Sequence, residues 1–276
     1  RHLMTAIANG FAYAVVDAPL IIADGLRGRS ETAVPVHCKH FEHVNVGSEV
    51  VNADALISVA HFKGHELSGF GGALKNIGMG CASRKGKMEQ HAGVAPRVKA
   101  KKCSGCGDCA AHCMSGAIEM VDGTAFIHPE RCVGCGECIL ICENGAIAIQ
   151  WSQDVPVFLE CMMEYTLGVL EKKKEKSLHI NFINHVSPVC DCVPFNDAPI
   201  VGDIGVVAST DPVAIDQASV DLVNQAPALP DTALTTNTEA GGDKFGGLHP
   251  KVDWAHQLAY AELLGIGTRA YELIKI

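Results

Sequence analysis

Two cysteine runs constrain this chain more than any other feature. Cys103, Cys106, Cys109 and Cys113 follow the spacing C-x₂-C-x₂-C-x₃-C, and Cys132, Cys135, Cys138 and Cys142 repeat it at an offset of 29 residues. The surroundings repeat as well: Gly116-Ala117-Ile118 follows the first run and Gly145-Ala146-Ile147 the second. Three thiolates on one tight loop can converge on three corners of an iron–sulfur cube, while the fourth corner needs a ligand from elsewhere. Structural zinc takes two pairs of ligands separated by a longer gap, not four cysteines packed into eleven positions twice over. Disulfides between such near neighbours would be strained and do not suit a cytosolic protein. The spacing therefore predicts two [4Fe–4S] clusters.

The same run occurs in bacterial two-cluster ferredoxins, where the fourth cysteine of each copy crosses to the other cube. That resemblance implies Cys103, Cys106, Cys109 and Cys142 around one cluster, and Cys132, Cys135, Cys138 and Cys113 around the other. Those ferredoxins usually place proline after the fourth cysteine, where this chain has Met114 and Glu143. Each copy reads as a ligand loop, a short helix beginning near its fourth cysteine, and a strand. Asp122-Gly123, between Ile118–Val121 and Ala125–Ile127, is a strong hairpin signal.

Such a module takes about fifty of the 276 residues, so most of the chain is something else. Hydrophobic residues make up 48% and glycine is abundant at 28, which suits a buried α/β core rather than disorder. The net charge of −9 argues against general nucleic-acid affinity. No segment approaches the roughly 20 apolar residues that span a bilayer, and no signal peptide is visible. The chain begins at Arg1, and His2 to Phe11 already reads as a helix, so a preceding stretch is expected. Cys38, Cys81, Cys161, Cys190 and Cys192 lie outside the runs. Free thiols beside iron–sulfur ligands point to a reducing, anaerobic cytoplasm.

In chain order, Ala18–Ala23, Leu56–Ala60, Leu178–Ile183 and Ile204–Ala208 read as strands, and Thr32–Val46 as a β-rich hairpin. Helices are expected over Pro156–Glu171, over Pro212–Asn224 behind an Asp211 N-cap, and over Val252–Leu264, with an edge strand at Tyr271–Ile276. Strands alternate with helices on both sides of the cysteines, and neither flank alone has enough strands for a sheet. The fold class expected is α/β, a mixed or parallel sheet with helices. It is built from residues 1–98 and 151–276 and interrupted by an inserted ferredoxin-like α+β module at 99–150. His37, Cys38, His40 and His43 cluster in the hairpin, but with no fourth ligand or orienting carboxylate evident they read as turn and solvent-facing positions. Cys190-Asp191-Cys192 is too sparse a chelate by itself, and the basic run from Arg84 to Lys102 reads as a solvated face.

The most unusual stretch outside the cysteines runs from His61 to Gly80, with Lys63, His65, Glu66, Gly69, Gly71, Gly72, Lys75 and Asn76. A buried strand that ends in a Gly-rich turn opening a helix can turn backbone N–H groups toward an anion. The glycine spacing is not a dinucleotide fingerprint. Gly69, Gly71 and Gly72 are thus candidate anion contacts, and His65, Lys75 and the downstream His91 candidate catalytic residues lining one pocket. On the plainer alternative, the glycines only allow close helix packing and Lys75 points to water.

His61 to His91, Cys190-Asp191-Cys192 through Asp203-Ile204-Gly205, and Ser209-Thr210-Asp211-Pro212 through Asp216 together resemble a family known as a domain of unknown function, numbered 362, with inserted ferredoxin clusters. The resemblance covers nearly the whole chain and implies fold and clusters more than a reaction. His65, Gly69, Gly72 and Lys75, with His91, also look like the active-site stretch of nickel-dependent lactate racemases. There the matching lysine tethers a pincer cofactor and the later histidine ligates nickel; Ala73 stands where that family has a second glycine. Three functions follow as expectations: a redox enzyme or subunit whose clusters exchange electrons with a site on the α/β domain, a dedicated electron carrier with a docking domain and a redox partner protein, or a racemase-like non-redox enzyme.

Overall fold

The computed structural model describes residues 2–92, 96–113, 115–132, 137–148, 155–191 and 197–276. The chain falls into two compact units. One holds Arg1–Val34, Asn45–Ala53 and Cys81–Ser152; the other holds Pro35–Val44, Asp54–Gly80 and Gln153–Ile276. The first elements are helices α1 (His2–Ala8) and α2 (Tyr13–Val16), strands β1 (Glu31–Pro35) and β2 (His43–Gly47), and helix α3 (Ser48–Asn52). Strands β3 (Leu56–His61), β4 (Lys63–His65) and β5 (Gly69–Gly71) lead into α4 (Ala73–Gly78), followed by α5 (Arg84–Ala92). The cysteine region carries β6 (Arg97–Val98), α6 (Asp108–Ala111), β7 (Ile118–Val121), β8 (Thr124–Ile127), α7 (Glu137–Ile141) and β9 (Ile147–Ala148). Then come α8 (Val155–Leu170), β10 (Ser177–Ile183), β11 (Gly205–Ser209), α9 (Pro212–Gln225), α10 (Lys244–Leu248) and α11 (Ala255–Leu263).

In the first unit the sequence repeat is also a structural repeat. β7 and β8 form a hairpin whose turn residues Asp122 and Gly123 both have positive φ, 47° and 74°. Asp-Gly tolerates that conformation with little strain. The hairpin pairs Ile118 with Ile127, and β6 pairs with β9 through Val98 and Ile147. A shift of 29 residues carries Val98 onto Ile127 and Ile118 onto Ile147, so the two ladders are one contact made twice. The flanking bonds obey the same shift: Lys99 N–H donates to the Ala146 carbonyl at 2.7 Å, and His128 N–H to the Ala117 carbonyl at 2.8 Å. The short helices α6 and α7 precede the fourth cysteine of each run rather than starting at it. Gly116 (φ 61°) and Gly145 (φ 56°) turn the chain immediately afterwards, so no helix can propagate there.

Cys109, Ile118, Ala125, Ile127 and Ile147 form the buried core of this region, and Cys103, Cys113, Cys132, Cys138 and Cys142 pack against it. The apolar run Ala18–Ala23, expected as a buried strand, pairs with no strand among the described residues. The chain enters a turn at once, with Gly25 and Gly28 at positive φ, and Ile21 is exposed.

The second unit is α/β with a mixed sheet. β10 is central, parallel to β3 and antiparallel to β11. Along β10, Ser177, His179, Asn181 and Ile183 are buried and the residues between them are less so, the alternation of a strand with one covered face. Helices α4 and α9 pack on the sheet, and α8 packs on α4 and α11. On the sheet's other residues, Ile57, Val59, Phe182 and Val206 are exposed. Phe62, Phe70 and Phe245 form an aromatic cluster with centroids 5.3–5.8 Å apart. Leu74, Ile77, Leu159, Met162 and Met163 are also among the largest fully buried side chains, and burying each is worth about 1.5–3 kcal/mol.

Two expected helix signals hold. Asp211 Oδ1 accepts the Val213 and Ala214 N–H groups at 2.8 and 3.0 Å, with Pro212 in the first turn. Helix α8 carries Glu160 and Glu164 one turn apart on its buried side. Glu164 accepts the N–H groups of His40 and Phe41 and the Tyr260 hydroxyl. Glu160 meets Lys39 at 2.7 Å, His40 at 2.5 Å and His256 at 3.2 Å. Burial acts to raise the Glu160 pKa, but these three partners outweigh it and hold it at about 2. The segment Tyr271–Ile276, expected as an edge strand, is irregular. Side chains fasten it instead: the Tyr271 hydroxyl donates to Asp221 at 2.8 Å, after Arg269 Nε has donated to Gln217. Among the described residues no helix is long and apolar enough to cross a membrane.

Candidate functional site

The cysteine region presents one candidate site. Cys103, Cys106, Cys109 and Cys142 line a single cavity, together with Gly107 and Ile147 among others. Three of these thiols come from the first run and the fourth from the second. The turn after each fourth cysteine aims an amide at its sulfur: Ala117 N–H lies 3.3 Å from Cys113 Sγ and Ala146 N–H 3.2 Å from Cys142 Sγ. Backbone N–H groups of Ala125 and Gly105 lower the Cys103 pKa. Burial acts to raise that of Cys113, but the Ser115 hydroxyl and neighbouring amides bring it down on balance. Burial pushes the Cys109 thiol up. None of the described cysteines, Cys38, Cys81, Cys161 and Cys190 included, forms a disulfide. Among the described residues no three His, Cys, Asp or Glu side chains meet as ligands of one ion. A cube asks something different of its ligands, one thiolate at each of four irons around a shared centre. This cavity is lined by four cysteines, the number of thiolates that one cube takes. Cys135 lies outside the described residues, as does Cys192.

The second unit presents another candidate. At the C-terminal end of β3, a cleft of about 250 Å³ is lined by His61, Lys63, Gly71, Gly72, Lys75 and Asp191, among others. Lys63 Nζ donates to the His61 carbonyl at 3.0 Å and lies 3.3 Å from Asp191 Oδ2. His61 Nδ1 is 2.9 Å from the same carboxylate oxygen, and its Nε2 faces the carbonyls of Asn184 and His185. Both ring nitrogens therefore face oxygen atoms of the chain. Burial acts to raise the Asp191 pKa, but His61 and Lys63 hold it below the usual range. Lys75 Nζ reaches Cys190 Sγ at 3.9 Å, and the Asn76 amide, also at the cleft, donates to Ser58 Oγ and the Val59 carbonyl.

The residues singled out from sequence divide between several places. Gly71, Gly72 and Lys75 share the cleft; His65 and Gly69 are not among its lining residues. His65 is buried at the end of β4, where Nδ1 accepts the N–H groups of Leu67 and Ser68 in the turn to β5 at 3.1 Å each. Gly69 has φ +76°, and a Cβ there would collide with Trp254. His91 lies in the first unit, half-buried on α5.

The anion expected at the start of α4 belongs to the chain itself. Asp216 accepts Ala73 N–H at 2.7 Å, Leu74 N–H at 3.0 Å and Asn181 Nδ2 at 2.8 Å. A Cβ at Gly72 would strike this carboxylate and the Phe62 ring, which explains the glycine. Complete burial pushes the Asp216 pKa up to about 6 despite these donors.

Sequence reading missed the roles of His61, Lys63 and Asp191, because their partnership spans 130 positions. It also gave the His37–His43 cluster no carboxylate, which Glu160 supplies to His40 from 120 positions away.

Comparison with curated proteins finds no match. The family model described as a domain of unknown function (DUF362) matches residues 1–221, well over half of the chain. The chain therefore belongs to the DUF362 family.

Proposed function

We propose that this chain is an iron–sulfur protein of electron transfer, an oxidoreductase or a subunit of one, working in a reducing, anaerobic cytoplasm. Eight cysteines would hold two [4Fe–4S] clusters: Cys103, Cys106, Cys109 and Cys142 one, and Cys132, Cys135, Cys138 and Cys113 the other, as an inserted ferredoxin-like module. The observation that carries this reading is the meeting of Cys142 with the first-run thiols at one cavity. Spacing alone does not require that meeting, whereas crossed ligation does. The amides aimed at Cys113 and Cys142 sulfur supply a second support, since N–H donors stabilise thiolate and tune potential. When bound, the clusters supply one-electron transfer. The chain's own contribution is to hold the thiols in place, donate to their sulfurs and keep one side of each loop dry against the Ile118–Ile147 core. The lack of any disulfide among the described cysteines suits a reducing compartment.

The test is iron and its loss. Protein purified without oxygen should be brown and hold about eight iron atoms per chain. Cys142→Ala should selectively damage the cluster built on Cys103, Cys106 and Cys109, and Cys113→Ala the other, read by electron paramagnetic resonance of the reduced protein. Damage confined to each residue's own run would overturn the crossed assignment, and colourless iron-free protein would overturn the function.

A further inference from the structure

We infer that the cleft at the end of β3 binds a small oxyanion, a carboxylate- or phosphate-bearing metabolite, between the ammonium groups of Lys63 and Lys75. The inference gives a ligand class to the site on the α/β unit that the redox reading calls for, and rests on that reading only for what the ligand is used for. Its geometry stands on the cleft alone. Lys63 and Lys75 both line it, and a Cβ placed on Gly71 would lie 3.2 Å from Lys75 Cδ and 3.8 Å from Lys63 Nζ. The two side chains thus flank one bare stretch of backbone. Lys63 is held back from solvent, its side chain only 14% exposed, and a partly desolvated ammonium binds an anion more strongly than a surface one.

The charge at the cleft opposes that of the molecule. The chain carries −9 overall, yet the cleft brings two lysines together against the single carboxylate of Asp191. Asp191 has a second role: it holds His61 and Lys63 in place and occupies part of the charge that a ligand would otherwise use. The start of α4 does not contribute, because Asp216 already takes its first N–H groups. Position and size agree with a small ligand. The cleft lies at the carboxyl end of a parallel strand, where ligands of α/β sheets collect. Its 250 Å³ falls just below the roughly 300 Å³ at which drug-sized pockets begin, too little for a dinucleotide.

The experiment is calorimetric titration of the full chain at low ionic strength with inorganic phosphate and, separately, with acetate. At least one should bind saturably, and which one binds distinguishes a phosphate-bearing from a carboxylate-bearing metabolite. Lys63→Met and Lys75→Met should each weaken binding about tenfold or more, the scale of one charge-assisted contact. Lys75→Arg should retain it within roughly threefold. Asp191→Asn should tighten it, because the competing charge is gone, while Lys251→Met on the exposed surface should change nothing. Absence of saturable binding by both probes, binding by both methionine variants as tight as by the unsubstituted chain, or weakening by Asp191→Asn as large as that expected for the lysine variants would overturn the inference. Iron measured on the same samples separates the two readings. Iron without anion binding overturns this site and leaves the clusters standing, whereas anion binding without iron supports the site and overturns the cluster reading.

Discussion

His179 sits fully buried on β10, and among the described residues neither ring nitrogen has a hydrogen-bond partner. Burial pushes its pKa down to about 4 against a smaller opposing pull from the Asp211 carboxylate. The folded protein thus holds a neutral ring, while the unfolded chain takes up a proton below about pH 6.5. The resulting stability is complete above about pH 6.5 and is lost as the pH falls through 4. His179→Leu should remove both this slope and the cost of a buried unpaired group, gaining about 1 kcal/mol at pH 5. Urea midpoints measured from pH 7 to pH 4 check it; parallel curves for the two proteins would refute the assignment. At the same scale, the glycines after β3 were legible as a place where N–H groups meet an anion. That the anion is Asp216, 143 positions away, was not, since no local pattern names a distant partner.

Local signals were strongest where one residue fixes one conformation. Asp122-Gly123 set the hairpin, and Asp211-Pro212 set the start of α9. The apolar spacing of α8 predicted its length within a residue or so at each end. Ala18–Ala23 failed because an apolar run specifies a strand only if an edge is available to pair with it. What α8 does with its acids was also hidden. Two like charges one turn apart weaken an isolated helix, but here Glu164 fastens the Lys39–Phe41 turn through two backbone N–H groups and Tyr260. Glu164→Leu would leave those donors buried and unpaired, so it should cost roughly 3 kcal/mol in chemical unfolding. A loss below about 0.5 kcal/mol would show that the turn holds without it.

For the whole molecule, the cysteine spacing made one region legible in detail and left the rest to pattern. The span 99–150 lies within the first unit, whereas β3, β10, β11, α4, α8, α9 and α11 all lie in the second. The β6–β9 ladder pairs Val98 with Ile147, and Lys99 N–H donates to the Ala146 carbonyl, so a short linker can take the place of the loop between them at little entropic cost. Deleting 99–150 and joining the ends with a Gly/Ser linker should therefore give a colourless protein that still melts cooperatively. Circular dichroism and iron analysis check it; an unfolded product would mean that the second unit depends on the cysteine region. The duplicated ladder has its own consequence for assembly. Because Val98–Ile147 and Ile127–Ile118 are one contact made twice, each 29-residue copy contains both faces of its own interface. Two separate, identical copies would close about a two-fold axis and remake both ladders. The peptide link through Asp122-Gly123 then acts as a tether, which keeps one half at high effective concentration beside the other.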